Sequence, residues 1–282
     1  MIVVSTCESL REQLGYWRHS GDHIALVPTM GNLHDGHLSL VSLAREHAER
    51  VVVSIFVNPT QFDESGEFDK YPRTLESDTR HLKKVNVDLL FIPDIGTMYP
   101  FGIANATSVI VPVLTAEFCG AFRPGHFDGV TSVISRLFNI VQPDVAIFGQ
   151  KDYQQQLVIQ HLVGDLRLPL QIVSGPTQRE PDGIAISSRN QYLSEEERSI
   201  APMLYSVLQG VGKDLQTGKR NYAELEQQAM DALNDAGFDA EYVGIRDAKN
   251  LDLPNRDNND IVVLGAVRLG TARLIDNVIV TV

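Results

Sequence analysis

Through residue 175, apolar residues fall in short continuous runs separated by stretches where they recur at helical spacing. The runs at 24–28, 50–57 (RVVVSIFV), 87–92 (VDLLFI), 107–113, 144–149 (DVAIFG) and 169–174 (PLQIVS) predict strands. Their near-unbroken apolarity suits strands covered on both faces, as in a parallel sheet. Pro28 is expected to end the first. Helices are predicted near 37–49, 75–86, 129–141 and 152–166. The third has the clearest stripe, formed by Val130, Val133, Ile134, Leu137, Phe138 and Val141. Strand–helix alternation implies a doubly wound α/β domain over residues 1–175, with ligands beyond the carboxyl ends of its strands.

The pattern changes in GPTQREPDGIAISSRN, which is rich in turn formers and charge and reads as a connecting loop over 176–190. Two helices and then strands at 239–247, 261–268 and 273–281 are expected beyond it. Ser194 with Glu197 and Asn221 with Glu224 each match a helix cap and its return carboxylate. A smaller α+β domain over 191–282 follows.

Composition narrows the function more than the fold. The net charge of −12 argues against a protein that tracks nucleic-acid phosphates. No run approaches the ~18 apolar residues of a bilayer span, so no membrane partner is expected. The start, MIVVSTCESLREQL, lacks a basic region before its apolar residues and does not read as a signal peptide. Cys7 and Cys119, far apart, suggest a reducing compartment, and the cytoplasm is the expected location.

The chemistry-bearing motifs each follow a predicted strand. VPTMGNLHDGHLSLV (27–41) carries His34 and His37 on an HxGH spacing at a helix start, where unpaired backbone N–H groups and positive partial charge favour phosphate. The two imidazoles are expected on one face of the first turn. FVNPTQF (56–62) holds Asn58 and Gln61. GQKDYQQ (149–155) places Lys151 at a helix N-terminus, where an anion would offset its charge. In ISSRN (186–190), Ser187, Ser188 and Arg189 combine small hydroxyls with a guanidinium fork suited to phosphate oxygens. Gln61 and Gln155 are candidates for holding a substrate carboxylate without the tight ion pair that would blunt its nucleophilicity. Arg123 and His126 in FRPGHFDGV (122–130), with Asp128 as a possible helix cap, and Tyr71, Pro72 and Arg73 rank below these.

Taken together, PTMGNLHDGH, FVNPTQF, YPRT, RPGHFDGV, GQKDYQQ, ISSRN and RLIDN (273–277) resemble the pantoate–β-alanine ligase (pantothenate synthetase) family in order and spacing. HxGH alone would indicate only a broad nucleotidyltransferase and class I synthetase superfamily. The resemblance implies a Rossmann-like ATP domain with a smaller C-terminal lid, usually as a homodimer. It implies ATP, carried with Mg2+, activating pantoate as pantoyl adenylate before the amine of β-alanine displaces AMP. By motif, ATP contacts would come from Met30, Gly31, Asn32, Leu33, His34, Asp35, Gly36, His37, Gly149, Gln150, Lys151, Asp152, Gln178, Ile186, Ser187, Ser188 and Arg189. The catalytic set would be His37, His34, Lys151 and Arg189. Pantoate would meet Gln61, Gln155 and Asn58, and β-alanine would meet Gln61; metal ligands are not assigned. Gln150 stands where that family commonly has Glu, Thr60 where it has Met, and Ile186 where it has Met or Leu.

Rival readings share part of this chemistry. A nucleotidyltransferase would keep the nucleotide in its product, a class I aminoacyl-tRNA synthetase would need a basic anticodon-binding extension that is not visible, and a nucleotide-binding protein without catalysis would release no pyrophosphate.

Overall fold

A computed structural model describes residues 1–62, 66–255 and 258–282. The chain divides into two compact units, residues 1–116, 123–150 and 154–176 in the first and residues 117–122, 151–153 and 177–282 in the second.

In the first unit six strands, β1 (Ile2–Val4), β2 (Ile24–Thr29), β3 (Arg50–Ile55), β4 (Leu89–Phe91), β5 (Val145–Gly149) and β6 (Gln171–Gly175), pair in parallel in the order β1-β4-β3-β2-β5-β6. The strand order reverses between β2 and β5, so the fold's switch point lies at their carboxyl ends. Both sheet faces are covered. Ala25, Val27, Val51, Val53, Leu90 and Ile147 pack with Val41 and Ala44 of the helix Asp35–His47 and with Leu82 of the helix Leu75–Lys84. The helix His126–Val141 is buried along most of its length.

Two expectations about this sheet need correction. The stretch 107–113 is not a strand. Val109 N donates to Ser132 Oγ at 2.9 Å and Val109 O accepts from Thr131 Oγ1 at 2.5 Å, so side chains of a helix take the backbone groups a neighbouring strand would use. The sheet instead has β1, not expected from the sequence, whose three residues pair with Leu89–Phe91. Pro28 does not end β2, which continues to Thr29 beside Ser54 and Ile55. Strand β5 pairs with β2 only at Ala25 and Leu26, so Pro28 lies past the two-sided part of the ladder, where a missing N–H is tolerated.

The second unit has an antiparallel sheet of β7 (Asp239–Asp247), β8 (Asp260–Leu269) and β9 (Ala272–Thr281). Three helices, not two, precede it: Glu195–Ile200, Met203–Gln216 and Tyr222–Asp235. Leu208, Leu215, Leu233, Ile245, Val263 and Val267 are fully buried in its core. Ser194 and Glu197 form the expected reciprocal cap. Asn221 instead spends its amide on the Glu224 carboxylate, at 2.6 Å.

Candidate active site

The turn after β2 is built by backbone conformations that few residues adopt. Gly31 (φ +81°) and Asn32 (φ +52°) are both left-handed. A Cβ on Gly31 would lie 3.1 Å from both Asp78 Oδ2 and Ile55 Cγ2, so space is tight where φ already favours glycine. The buried Asp78 carboxylate holds the turn, accepting from Asn32 N at 3.0 Å, Leu33 N at 2.9 Å and Thr74 Oγ1 at 3.1 Å.

The histidines differ from expectation in their place on the helix. His34 is the extended N-cap, just outside the first turn, and His37 is the third helical residue. Their rings still pack together, with centroids 4.1 Å apart and planes tilted by 36°. His34 N donates to His37 Nδ1 at 3.3 Å. In this contact His37 Nδ1 is the acceptor. Asp35 is exposed, while Met30 and Gly36 are half-buried. A cavity of about 590 Å3 beside this turn is lined by Met30, Gly31, Phe56, Arg73, Thr74 and Asp78 among others. Arg73 donates to the carbonyls of Phe68, Asp69 and Tyr71 and lies over the Phe68 ring, so it holds its own loop.

Beyond β3, Pro59–Gln61 form a 3-10 turn capped by Asn58. Gln61 Nε2 donates to Met30 Sδ at 3.0 Å, joining two separately recognised motifs. Asn58 Nδ2 donates to Gln61 Oε1 at 3.2 Å and to Gly129 O at 3.1 Å, and Asn58 Oδ1 accepts from Tyr99 OH at 2.7 Å and Thr60 Oγ1 at 3.1 Å. Thr60 thus uses the hydroxyl that distinguishes it from methionine. Burial pushes the Tyr99 phenol above its ordinary range, keeping it a donor. His126 Nδ1 lies 2.7 Å from Gln61 O, which fixes Nδ1 as the donor and leaves Nε2 to accept from Arg123 Nη1 at 3.3 Å. Arg123 and His126 therefore clamp the backbone of Gln61. Asp128 is not the cap of its helix; Gly125 occupies that position and Asp128 lies in the first turn.

Beyond β5, the chain forms a 3-10 turn over Gln150–Asp152 before the helix Tyr153–Asp165. Gln154 donates to Leu114 O at 2.8 Å and Gln156 accepts from Ser174 Oγ at 2.9 Å. Among the described residues no hydrogen bond ties the side chain of half-buried Gln155. Its two glutamine neighbours are structural.

In the second unit, a cavity of roughly 20 Å3 is lined by Lys151, Ser187, Asn190, Tyr205 and Asp276 among others. Asp152 is exposed and does not line it. Ser187 Oγ caps the turn Ser188–Tyr192 by accepting from Arg189 N at 3.2 Å. Gln178 accepts from Ile186 N at 2.9 Å through its backbone. Tyr153 donates to Ala248 O at 2.5 Å, and burial with the nearby Asp247 and Asp260 carboxylates pushes its pKa up to about 12. Among the described residues no group of three His, Cys, Asp or Glu side chains forms a metal cage, and no helix is long and apolar enough to cross a membrane.

Sequence reasoning missed Asp78, Tyr99 and Gly129. Asp78 reads as one more charge on an amphipathic helix, and Tyr99 sits in an unpatterned stretch. Gly129 was visible only as a glycine inside a strong helical stripe. A Cβ there would overlap the carbonyl of Thr60 and stand 2.8 Å from Gln61 N, so its absence lets the turn dock on the helix.

A parallel sheet with polar turns gathered at the carboxyl ends of the strands around its switch point defines a doubly wound α/β enzyme. The family model for pantoate-beta-alanine ligase matches residues 2–279, and the chain belongs to that family, whose members ligate pantoate with β-alanine. The pantothenate synthetase of Ectopseudomonas mendocina (strain ymp) is 50% identical over 280 residues, covering 99% of this chain and 98% of that one. That of Azotobacter vinelandii is 49% identical over 282 residues, the full length of both. The crystal structure of pantothenate synthetase from Thermus thermophilus has a TM-score of 0.91 at 44% identity, covering 99% of each chain. A Francisella tularensis pantoate-beta-alanine ligase, complexed with beta-gamma ATP and beta-alanine, has a TM-score of 0.80 at 33% identity over 99% of this chain and 97% of that one.

Proposed function

We propose that this ligase activates pantoate with ATP, forming pantoyl adenylate before β-alanine enters. A carboxylate oxygen of pantoate attacks the α-phosphorus, and the bond to the β-phosphate oxygen breaks with release of pyrophosphate. The β-alanine amine then attacks the acyl carbon, loses a proton, and expels AMP. The ATP and β-alanine bound to the Francisella relative support both substrates.

The observation that carries this reading is the placement of His34 and His37 at the start of the helix that follows β2. His37 Nδ1 accepts the His34 N–H at 3.3 Å, which leaves Nε2 as the ring nitrogen to donate to phosphate at a helix N-terminus beside the switch point. Donors held where charge grows on phosphate lower the barrier without reorganising, and each is typically worth ~10²–10³ in rate. His34 and His37 take the catalytic role with Lys151 and Arg189. Met30–His37, Gly149–Asp152, Gln178 and Ile186–Arg189 contact the nucleotide. Gln61, Gln155 and Asn58 hold pantoate, and Gln61 lies by β-alanine. The Gln61 amide, oriented by Met30 and Asn58, binds a carboxylate without cancelling its charge.

Magnesium enters with ATP as part of the substrate, held by phosphate oxygens. The enzyme works in the cytoplasm as a homodimer. In support of a second copy, Phe101 (80% exposed), Ile110 (60%) and Val113 (78%) put apolar surface outside the first unit. Pyrophosphate release from ATP with pantoate alone, followed by AMP on adding β-alanine, tests the sequence of steps. Failure of pantoate alone to support at least one turnover of pyrophosphate would overturn it.

A further inference from the structure

We propose that Asp276 and Asn277 of β9 form a positioning pair that sets Lys151 and the Ser187–Arg189 turn together. This inference rests on the assignment of those residues to the ATP site. Adjacent residues of a strand point to opposite faces, so one strand can serve two loops. Asn277 Nδ2 donates to Lys151 O at 3.0 Å, fixing the backbone from which the lysine projects. Asp276 receives both terminal nitrogens of Arg179, Nη1 at 2.6 Å and Nη2 at 2.8 Å, and also the N–H of Asn277 at 2.8 Å.

Arg179 belongs to the segment that leads into ISSRN. Its Nη1 donates to Gly183 O at 3.0 Å, and its guanidinium lies 3.4 Å over the Tyr205 ring. Around it a short ladder closes, with Arg179 bridged to Ala185, Glu180 N donating to Ile184 O and Ile186 N donating to Gln178 O, both at 2.9 Å. The next residue is the Ser187 cap, and Asn190 Nδ2 reaches back to Ala185 O at 3.1 Å. Lys151, Ser187 and Asp276 then border one cavity of roughly 20 Å3.

Both strand residues are 4% exposed. Apolar residues would fill such positions at lower desolvation cost, and removing one partner of a buried pair is strongly unfavourable. What the polar pair supplies is a fixed distance from one strand to two loops. Asp276 and Asn277 therefore hold the phosphate-binding loops through the backbone of Lys151 and through Arg179.

A double-mutant cycle in the full-length enzyme tests this, reading kcat/KM for ATP by pyrophosphate release with saturating pantoate. Asn277→Ala is expected to lower it ~10-fold, and less than ~2-fold when added to Lys151→Ala, because residues acting through one another are non-additive. Asp276→Asn, which keeps the shape if Asp276→Ala does not fold, is expected to behave the same way toward Arg189→Ala. A full-sized, multiplicative loss on both backgrounds means an independent stability effect and overturns the inference alone. Undiminished pyrophosphate release by Lys151→Ala overturns the ATP-site assignment and this inference with it.

Discussion

Replacing Asp78 by Ala removes the carboxylate that grips the turn between β2 and the HxGH helix. Two backbone donors, Asn32 N and Leu33 N, lose acceptors at 3.0 and 2.9 Å, and Thr74 Oγ1 loses one at 3.1 Å. Leu33 is buried while Asn32 and Thr74 are half-buried, so water cannot readily replace the carboxylate at Leu33 N. Orphaning the buried Leu33 N–H costs about 1–3 kcal/mol and losing the half-buried bonds from Asn32 and Thr74 about 0.5–1.5 kcal/mol each, giving about 2–6 kcal/mol. If the first unit absorbs this globally, about 2–4 °C per kcal/mol lowers its melting temperature by at least about 4 °C. If the turn opens instead, His34 and His37 lose their fixed places, and a penalty of about 1.4 kcal/mol already costs ~10-fold in rate. Asp78→Asn keeps one acceptor and is expected to lie between wild type and Ala. The assays are thermal melting and pyrophosphate release with pantoate. A variant with wild-type melting and wild-type rate would show that the turn holds itself, and the reasoning would be refuted.

Gly129→Ala drives a Cβ into the Thr60 carbonyl and is expected to raise KM for pantoate ~10–100-fold by displacing Gln61; an unchanged KM counts against the role of Gln61. Tyr153 has its pKa raised from 10.0 to about 12, so the neutral phenol is favoured in the fold. Its contribution to stability is whole below pH 10 and disappears as pH climbs toward 12. Melting of wild type and Tyr153→Phe should therefore converge over that window, and parallel curves would contradict the assignment. Ile110→Glu, at a residue 60% exposed, should convert a two-chain species to one chain in sedimentation velocity; an intact dimer would place the interface elsewhere.

Much of the fold was legible because buried parallel strands advertise themselves as apolar runs. The exceptions have local causes. Strand β1 has three residues, too few for any pattern. The 107–113 run carries β-branched residues, yet Thr131 and Ser132 take both backbone groups of Val109. Pro28 ends a ladder on one side only, which sequence does not distinguish from ending a strand. Within the site, residues with distinctive chemistry on short spacings were readable: His34, Asn58 and Gln61 do occupy polar turns after strands, with His37 in the first turn of the helix that follows. The residues that hold them were not. Asp78 is 45 positions from Leu33 in the chain, and Tyr99 is 41 from Asn58. Such partners carry no local signal, and only the folded chain brings them together.

The central claim is that pantoate is activated at its carboxylate by the α-phosphorus of ATP. Pantoate labelled with 18O in its carboxylate, turned over with ATP and β-alanine, tests it most directly. One labelled oxygen should appear in the phosphoryl group of AMP, because the acyl–oxygen bond is the one the amine breaks. Label in pyrophosphate or inorganic phosphate, or unlabelled AMP beside labelled water, would contradict it.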